Sequence, residues 1–213
     1  MGYYATYLDV TGRRCLVVGG GDEAEAKVRG LLRDGAAVTV IADTINPALE
    51  AQAREGAIEV ERRGFEEADL EGAFLVIDAS GDDASGERVA AAARARHVLV
   101  NVLDRPKLCD FIAPALVRRG RLQVAVSTSG RSPFLASLIR RRLEGEIGEE
   151  YGELVDIVGA LRDRMRSDGV PLEAQNHVYA RIEASEALDL LRRGQRRQAE
   201  AAVAACAAGV RRG

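Results

Sequence analysis

A glycine-rich segment near the start of the chain has the residue types and the spacing that hold a dinucleotide phosphate. Gly19, Gly21 and Ala24 match the pattern G-x-G-x-x-A, directly after the apolar run 15–18 and at the start of a helical pattern. Gly19 permits a tight turn, Gly21 lets the backbone approach a pyrophosphate, and Ala24 allows the helix to pack closely on the strand. The sequence therefore predicts a dinucleotide-binding loop; a glycine turn without a ligand is the alternative.

The helix that begins beyond Gly21 has free N–H groups and the positive end of its dipole at its start. The first of these groups belong to Asp22, Glu23 and Ala24. Helix N-termini bind anions through such groups. We therefore expect these three residues to contact the phosphates of the cofactor.

An acidic residue near the end of the second apolar run indicates which dinucleotide is bound. Asp43 lies 22 residues after Gly21, and Thr44 stands beside it. A carboxylate at this point can hold the ribose hydroxyls of NAD. Residues 42–46 contain no arginine, which the 2′-phosphate of NADP would require. We therefore expect the cofactor to be NAD, bound in part by Asp43 and Thr44.

Short apolar runs alternate with helical stretches through the first hundred residues. The runs are 15–18, 38–41, 58–60, 74–77 and 98–100, and the helical patterns are 22–34, 47–55 and 83–96. Such alternation predicts βαβ units around a parallel sheet. Because the runs are almost entirely apolar, both faces of the sheet should be covered.

The pattern changes after residue 110. A short strand or sheet edge is expected at 111–114 and a strand at 121–127, while Ser132 and Pro133 should open a helix as N-cap and first residue. Further helices are expected at 150–167, 172–191 and 195–208. The helix after Ser132 carries an apolar stripe, which consists of Leu135, Leu138, Ile139 and Leu143. A segment this small should bury that stripe on a partner, so we expect a homodimer.

Composition excludes several classes of protein. The 213 residues are 47% hydrophobic and 30% charged, with a net charge of −3, so neither disorder nor general attraction to nucleic acid or membranes is expected. No apolar run has the length of a membrane span, and residues 1–10 show no secretory signal, so a cytoplasmic location is expected. The cysteines and histidines are too few and scattered to predict a disulfide framework or a metal site. Of the histidines, we expect His97 to be packed or edge-facing and His177 to be exposed.

Five segments together resemble the precorrin-2 dehydrogenases, which form the N-terminal module of siroheme synthase. They are VVGGGDEAEAK (17–27), IDASGD (77–82), NVLDRPK (101–107), FIAP (111–114) and VAVSTSGRSP (124–133). Their order and spacing are similar to those of the family, and the resemblance extends over residues 1 to about 165. A generic dinucleotide-binding protein would not carry both NVLDRPK (101–107) and VAVSTSGRSP (124–133).

The resemblance implies a fold and an activity. The fold is an α/β Rossmann-type parallel sheet at 1–112, a small dimerisation segment at 113–147 and a C-terminal helical domain at 148–213. The activity is oxidation of precorrin-2 to sirohydrochlorin with NAD as the hydride acceptor. Some family members also insert ferrous iron into the product to give siroheme, so Fe²⁺ is a candidate second substrate. The family forms its active sites within a dimer.

Asp104 is the candidate catalytic residue. The cofactor accepts the hydride, so the protein must position both partners and take up a proton. Asp104 follows the fifth strand at its carboxyl end, where ligands bind in open α/β sheets, and it matches the catalytic aspartate of the family. The alternative role for Asp104 is to cap the turn before Pro106.

Other residues are expected to surround the cofactor and the tetrapyrrole. Those expected at the cofactor are Ser80, Gly81, Asp82 and Asn101, with an orienting role in the loop as the alternative for Asn101. Those expected at the substrate carboxylates are Lys107, Ser127, Thr128, Ser129 and Arg131, together with Arg140 and Arg141; for the arginines, an exposed helix face is the alternative. A protein that senses NAD or a tetrapyrrole without turnover is the alternative to an enzyme.

Overall fold

The chain divides into two compact units between Ala113 and Pro114 in the computed structural model, which describes residues 2–209. The first unit is an α/β domain and the second contains a hairpin and helices, so the predicted fold class is confirmed. The predicted helical domain extends to residue 213, and residues 210–213 lie outside the described part. Among the described residues, no helix combines the length and apolar character that a membrane span requires.

Five parallel strands form the sheet of the first unit in the order β3-β2-β1-β4-β5. The strands are β1 Arg14–Val18, β2 Ala37–Ile41, β3 Glu59–Glu61, β4 Leu75–Asp78 and β5 Leu99–Val102. Each lies within about two residues of a predicted apolar run. Since the order reverses between β1 and β4, their carboxyl ends border the crevice where open α/β sheets bind ligands.

Both faces of this sheet are buried, as the apolar runs predict. Leu16 and Val18 of β1 belong to one core cluster, whereas Cys15 and Val17 belong to the other, because successive side chains of a strand point to opposite faces. The covering helices are α1 Asp22–Arg33, α2 Pro47–Arg54 and α3 Asp83–Ala95. On α1, Ala24 and Val28 are fully buried, so the predicted close contact of Ala24 with the sheet is present.

The second unit begins with an antiparallel hairpin, β6 Ala115–Arg119 and β7 Leu122–Val126. It continues through five helices: α4 Pro133–Glu146, α5 Glu149–Ser167, α6 Leu172–Glu183, α7 Ala187–Arg192 and α8 Arg196–Cys206. The N-cap of α4 is Ser132, whose Oγ accepts a hydrogen bond from Leu135 N at 3.2 Å, as its sequence position predicts. Helices α5 to α8 pack around their own apolar cluster.

The prediction of a strand at 111–114 is wrong. Pro114 has no N–H to donate, and the carbonyl of Phe111 accepts a hydrogen bond of 2.9 Å from Asn101 Nδ2. The Phe111 side chain packs against the core of the first unit. Strand pairing begins only at Ala115, so β6 is a strand that was not predicted from the sequence.

The predicted helix 172–191 is interrupted between α6 and α7. Ser185 Oγ donates to Ile182 O at 2.7 Å and accepts from Ala187 N at 3.3 Å. A serine hydroxyl that bonds to its local backbone competes with the helical pattern, which explains the break.

His97 also differs from expectation: it is exposed, at φ 57°, in the turn after α3. His177 is exposed, as predicted.

Candidate functional site

The loop after β1 makes a tight turn against the loop after β4. Gly19 has φ +119°, a backbone conformation that residues other than glycine rarely adopt. A Cβ on Gly19 would lie 2.5 Å from Ala79 O, and Gly19 N donates to Ile41 O at 2.9 Å. The predicted role of Gly19 as the residue that permits the turn therefore has a direct structural basis.

Gly20 occupies a position at which the motif allows any residue. The packing nevertheless requires a glycine there. A Cβ on this residue would overlap the carbonyl oxygen of Thr44 and approach Ile45 Cα to 2.9 Å. The loop after β2 therefore lies directly on the glycine loop. The motif could not reveal this requirement, because it comes from a segment more than twenty residues away along the chain.

Gly21 faces open space, in contrast to its two neighbours. A Cβ placed there would meet no atom within 4 Å, and the residue is exposed. Gly21 is the N-cap of α1 without a side-chain cap, and the helical bonds begin with Glu25 N, which donates to Gly21 O at 3.0 Å. The preceding N–H groups have no partner within the helix. This donor set and the open space before it fit a pyrophosphate. Of the three residues expected to contact it, Asp22 and Glu23 are exposed, whereas Ala24 is fully buried.

Asn46 joins the loop after β2 to the glycine loop. Its backbone N donates to Gly20 O at 2.8 Å, and its Nδ2 donates to Asp22 Oδ1 at 3.0 Å. Its Oδ1 accepts from Leu49 N at 2.9 Å and so caps α2. Asn46 is not among the residues predicted from the sequence, although Asn followed by Pro is a helix N-terminal signal. Asp43, the predicted ribose ligand, is exposed in this loop.

The loop after β4 is organised by a buried carboxylate, that of Asp78, which is 2% exposed. Asp78 Oδ1 accepts from Ser80 N at 2.8 Å and from Ser80 Oγ at 2.7 Å, while Oδ2 accepts from Ser85 Oγ at 3.1 Å. The hydroxyl of Ser80 is therefore used to shape the loop. Asp82 caps α3 by accepting from Ala84 N at 3.1 Å.

Gly81 lies between these two residues with φ +73°, and a Cβ there would meet no atom within 4 Å. Its backbone is therefore accessible to a ligand at the edge of the crevice. Of the three predicted cofactor contacts in this loop, Ser80 and Asp82 have their side chains engaged within the protein, and Gly81 is open.

Asp104 lies at the apex of a braced turn after β5. Its side chain is exposed and its backbone has φ 58°, in the left-handed region. Arg105 N donates to Val102 O at 3.2 Å across the turn, and Leu103 N donates to Asp78 O at 3.0 Å. The turn is therefore anchored to the last residue of β4, and the carboxylate of Asp104 is exposed to solvent, where a substrate can approach.

The predicted cofactor ligand Asn101 acts within the fold as a brace for this segment. It is 8% exposed and its Nδ2 donates to Phe111 O at 2.9 Å and to Cys109 Sγ at 3.5 Å. Burial raises the pKa of the Cys109 thiol, so the thiol remains protonated at neutral pH. Of the two roles predicted for Asn101, cofactor contact and orientation of the loop, these contacts support orientation of the loop.

The second unit contains a loop rich in hydroxyl groups between β7 and α4. Thr128 Oγ1 donates to Ser132 O and accepts from Ser132 N, both at 3.0 Å. Ser127 Oγ accepts from Ser129 N at 3.1 Å. Two of the three hydroxyls predicted to bind substrate therefore hold the loop, whereas the Arg131 side chain at its end is exposed.

The first unit thus brings together four loops at one edge of its sheet. The glycine loop contacts the Thr44–Asn46 segment and Ala79, and Asp78 contacts Leu103 beside Asp104. Lys107, in the turn Pro106–Leu108, is exposed in the same unit. This edge of the sheet therefore combines the glycine loop, with open space before the N-terminus of α1, and the exposed carboxylate of Asp104.

Comparison with known proteins identifies both units. Residues 6–115 match the family described as putative NAD(P)-binding, and residues 119–146 match the central segment of sirohaem biosynthesis proteins. A solved structure of the precorrin-2 dehydrogenase SirC is similar with a TM-score of 0.78 and 28% identity, over 95% of this chain and 100% of that one.

The chain is also similar to curated siroheme synthases. The siroheme synthase of Nitrosococcus oceani is 37% identical over 98% of this chain and 45% of its own length. That of Pseudomonas entomophila is 45% identical over 78% of this chain and 36% of its own length. The chain thus spans less than half the length of these relatives. It belongs to the family described as putative NAD(P)-binding, it also matches the central segment of sirohaem biosynthesis proteins, and it is similar to siroheme synthases and to a precorrin-2 dehydrogenase.

Proposed function

We propose that this protein oxidises precorrin-2 to sirohydrochlorin with NAD as the hydride acceptor. The observation that carries the proposal is the placement of an exposed carboxylate, Asp104, on a braced turn at the sheet edge that also holds the glycine loop. The precorrin-2 dehydrogenase that covers nearly the whole chain supports the choice of substrate.

The reaction removes one hydride and one proton from the tetrapyrrole. NAD bound at the glycine loop would supply the hydride acceptor and would leave as NADH, and the proton would pass to a base of the protein. We assign that base to Asp104, because its carboxylate is exposed at the sheet edge and can accept a proton directly from a substrate placed there. The remaining residues of the first unit orient the cofactor so that hydride transfer takes place in a fixed geometry.

Precorrin-2 carries several carboxylates, so its site requires cations and hydrogen-bond donors. We assign these contacts to the exposed side chains of Lys107, Ser129 and Arg131. Ser127 and Thr128 contribute by holding the loop that presents Ser129 and Arg131, since their hydroxyls bond to the local backbone. Arg140 is engaged with Glu144 and Arg141 with Ser137, so these two arginines are weaker candidates.

We also propose a homodimer in which α4 contributes to the interface. Phe134, Leu135 and Ile139 are 72%, 43% and 36% exposed on that helix. Large apolar side chains grouped on one helix are typical of a surface that binds another protein. A second copy of the chain covers this surface in our proposal, in agreement with the expectation for the stripe.

Insertion of Fe²⁺ into sirohydrochlorin is a separate proposal, and it uses the same carboxylate. Among residues 2–209, no group of three or more His, Cys, Asp or Glu side chains is arranged to hold a metal ion. Chelation requires a base that removes pyrrole protons, and Asp104 is exposed at the site where the tetrapyrrole is expected. Supplying purified sirohydrochlorin and Fe²⁺ tests this step without the oxidation.

The main test is spectroscopic. The purified protein is incubated with precorrin-2 and NAD, and the formation of NADH and of the sirohydrochlorin spectrum is followed together. We expect both to appear at equal molar rates. Binding of NAD without any turnover of precorrin-2 would instead support the alternative of a sensing module.

A further inference from the structure

The strongest unassigned feature of the dinucleotide site is the contact between Asn46 and Asp22. Asn46 Oδ1 accepts from Leu49 N, and this bond determines the orientation of the side-chain amide. Its Nδ2 therefore points to Asp22 Oδ1, at 3.0 Å. The contact links the N-terminus of α2 to the N-terminus of α1.

Asp22 is an unexpected residue at an anion site. It is the first residue of α1, followed closely by Glu23 and Glu25, so three carboxylates stand in the first turn. A carboxylate here is attracted to the free N–H groups and to the positive end of the helix. A pyrophosphate uses the same groups and is repelled by the same charge. An unrestrained Asp22 side chain would therefore compete with the cofactor.

We propose that Asn46 is a positioning residue that holds the Asp22 carboxylate away from the pyrophosphate site. Its amide draws Asp22 toward the loop after β2, while its backbone N–H holds Gly20 O at 2.8 Å. The N–H groups before Glu25 then remain open to the cofactor. The proposal rests on dinucleotide binding by the glycine loop and does not depend on the precorrin-2 chemistry.

A double-mutant cycle on cofactor affinity tests the proposal. In Asn46→Ser, the serine hydroxyl still caps α2 and the backbone N–H remains, but the side chain is too short to reach Asp22. We expect the Kd for NAD to rise about three- to tenfold, which corresponds to the net contribution of one ordinary hydrogen bond. In Asp22→Asn, the competing charge is absent, and NAD should bind at least as tightly as to the wild type.

The decisive comparison is Asn46→Ser in the Asp22→Asn background. We expect the serine substitution to change the Kd there by less than about twofold, since no carboxylate remains to be restrained. Isothermal titration with NAD gives each Kd, and thermal unfolding of the same samples without NAD reports stability. Asn46→Ser should raise the Kd only in the Asp22 background, while the melting temperatures of all four proteins remain close.

Several results would overturn the proposal. Equal weakening by Asn46→Ser in both backgrounds would mean that Asn46 acts only through α2 or the loop. An unchanged Kd in the wild-type background would mean that Asp22 needs no restraint. Absence of NAD binding by the wild type would remove the basis of the proposal. Failure of the precorrin-2 assay alone leaves it intact, because this cycle measures binding.

Discussion

Val102 and Cys109 close the loop that carries Asp104. Val102 N donates to Cys109 Sγ at 3.2 Å, and Cys109 Sγ lies 3.2 Å from Val102 O, to which it can donate. This pairing joins the last residue of β5 to the residue after the turn Pro106–Leu108. The carboxylate of Asp104 is therefore presented from a loop closed at its base, although the residue itself is exposed.

The first prediction concerns the role of Asp104. Asp104→Asn preserves the size of the side chain but cannot accept a proton at neutral pH. We expect the rate of precorrin-2 oxidation to fall by about 10²–10⁴-fold, the usual contribution of a general base. The Kd for NAD should change little, because the phosphate donors lie on the glycine loop. Single-turnover oxidation and NAD titration measure the two quantities.

Asp163→Asn on α5 is the matched control for this substitution, because Asp163 is exposed in the helical part of the second unit. It should retain wild-type oxidation. A wild-type rate in Asp104→Asn would show that the carboxylate is structural. If one base serves both steps, Asp104→Asn should also slow the insertion of iron into supplied sirohydrochlorin. Iron insertion at the wild-type rate in Asp104→Asn would assign the chelation step to another group.

The second prediction contrasts two adjacent glycines. In Gly21→Val, the side chain enters open space from an extended backbone with φ −87°, so the fold should remain stable. The side chain occupies the space required by the pyrophosphate, and NAD binding should be lost. In Gly20→Ala, the added Cβ overlaps Thr44 O, and unfolding should become easier by roughly 1–3 kcal/mol.

Thermal unfolding and NAD titration of both variants distinguish these effects. Retained NAD affinity in Gly21→Val would show that the loop is not the phosphate site. A Gly20→Ala variant as stable as the wild type would show that the loop after β2 can move away at little cost.

The third prediction is a preference for NAD over NADP. The carboxylate of Asp43 is exposed in the loop after β2, where it would repel a 2′-phosphate. We expect a discrimination of about 1–3 kcal/mol, or roughly five- to 150-fold in kcat/KM. Asp43→Asn should bring the kcat/KM values for the two cofactors closer together, because it should raise kcat/KM for NADP. Equal kcat/KM values for the two cofactors in the wild type would contradict the assignment.

The fourth prediction concerns association through α4. Light scattering should give twice the mass of the 22.9 kDa chain, and Phe134→Asp should shift the population toward the monomer. Phe134 is 72% exposed, so an aspartate in the first turn of α4 should not disturb the helix itself. Leu172→Asp is a matched control, since Leu172 is 71% exposed at the start of α6. Equal effects of the two substitutions would exclude a specific role for α4.

The fifth prediction is a loss of stability at high pH that depends on Cys15. Burial raises the pKa of its thiol from 9.0 to about 11. In the unfolded chain the thiol ionises near pH 9, while in the folded chain it stays protonated. The contribution of this thiol to the free energy of unfolding is therefore complete below pH 9. It is lost as the pH rises from 9 to about 11, which lowers the free energy of unfolding by roughly 3 kcal/mol.

Denaturant unfolding at a series of pH values checks this dependence. Cys15→Ala lowers the stability at all pH values through lost packing, but it should lack the additional decrease between pH 9 and 11. The same slope in both proteins would mean that other groups cause the loss. Modification of the thiol in the folded protein at neutral pH would also contradict the prediction.

The sequence by itself determined the sheet, its covering helices and the position of the glycine loop. Gly19, Gly21 and Ala24 belong to one short segment, and the apolar runs identify every strand of the sheet within about two residues. These features depend on local spacing and on burial of both faces of each strand, which a single segment records in its residue types.

Only the tertiary structure decided which residues support the site. Gly20 is required because Thr44 lies on it, Asn46 reaches Asp22 across two loops, and Cys109 closes the Asp104 turn by returning to β5. Each relationship joins segments that are separated along the chain and meet only after the sheet has formed. Side-chain hydrogen bonds of this kind depend on distance and direction in space, and no periodicity in the sequence records them.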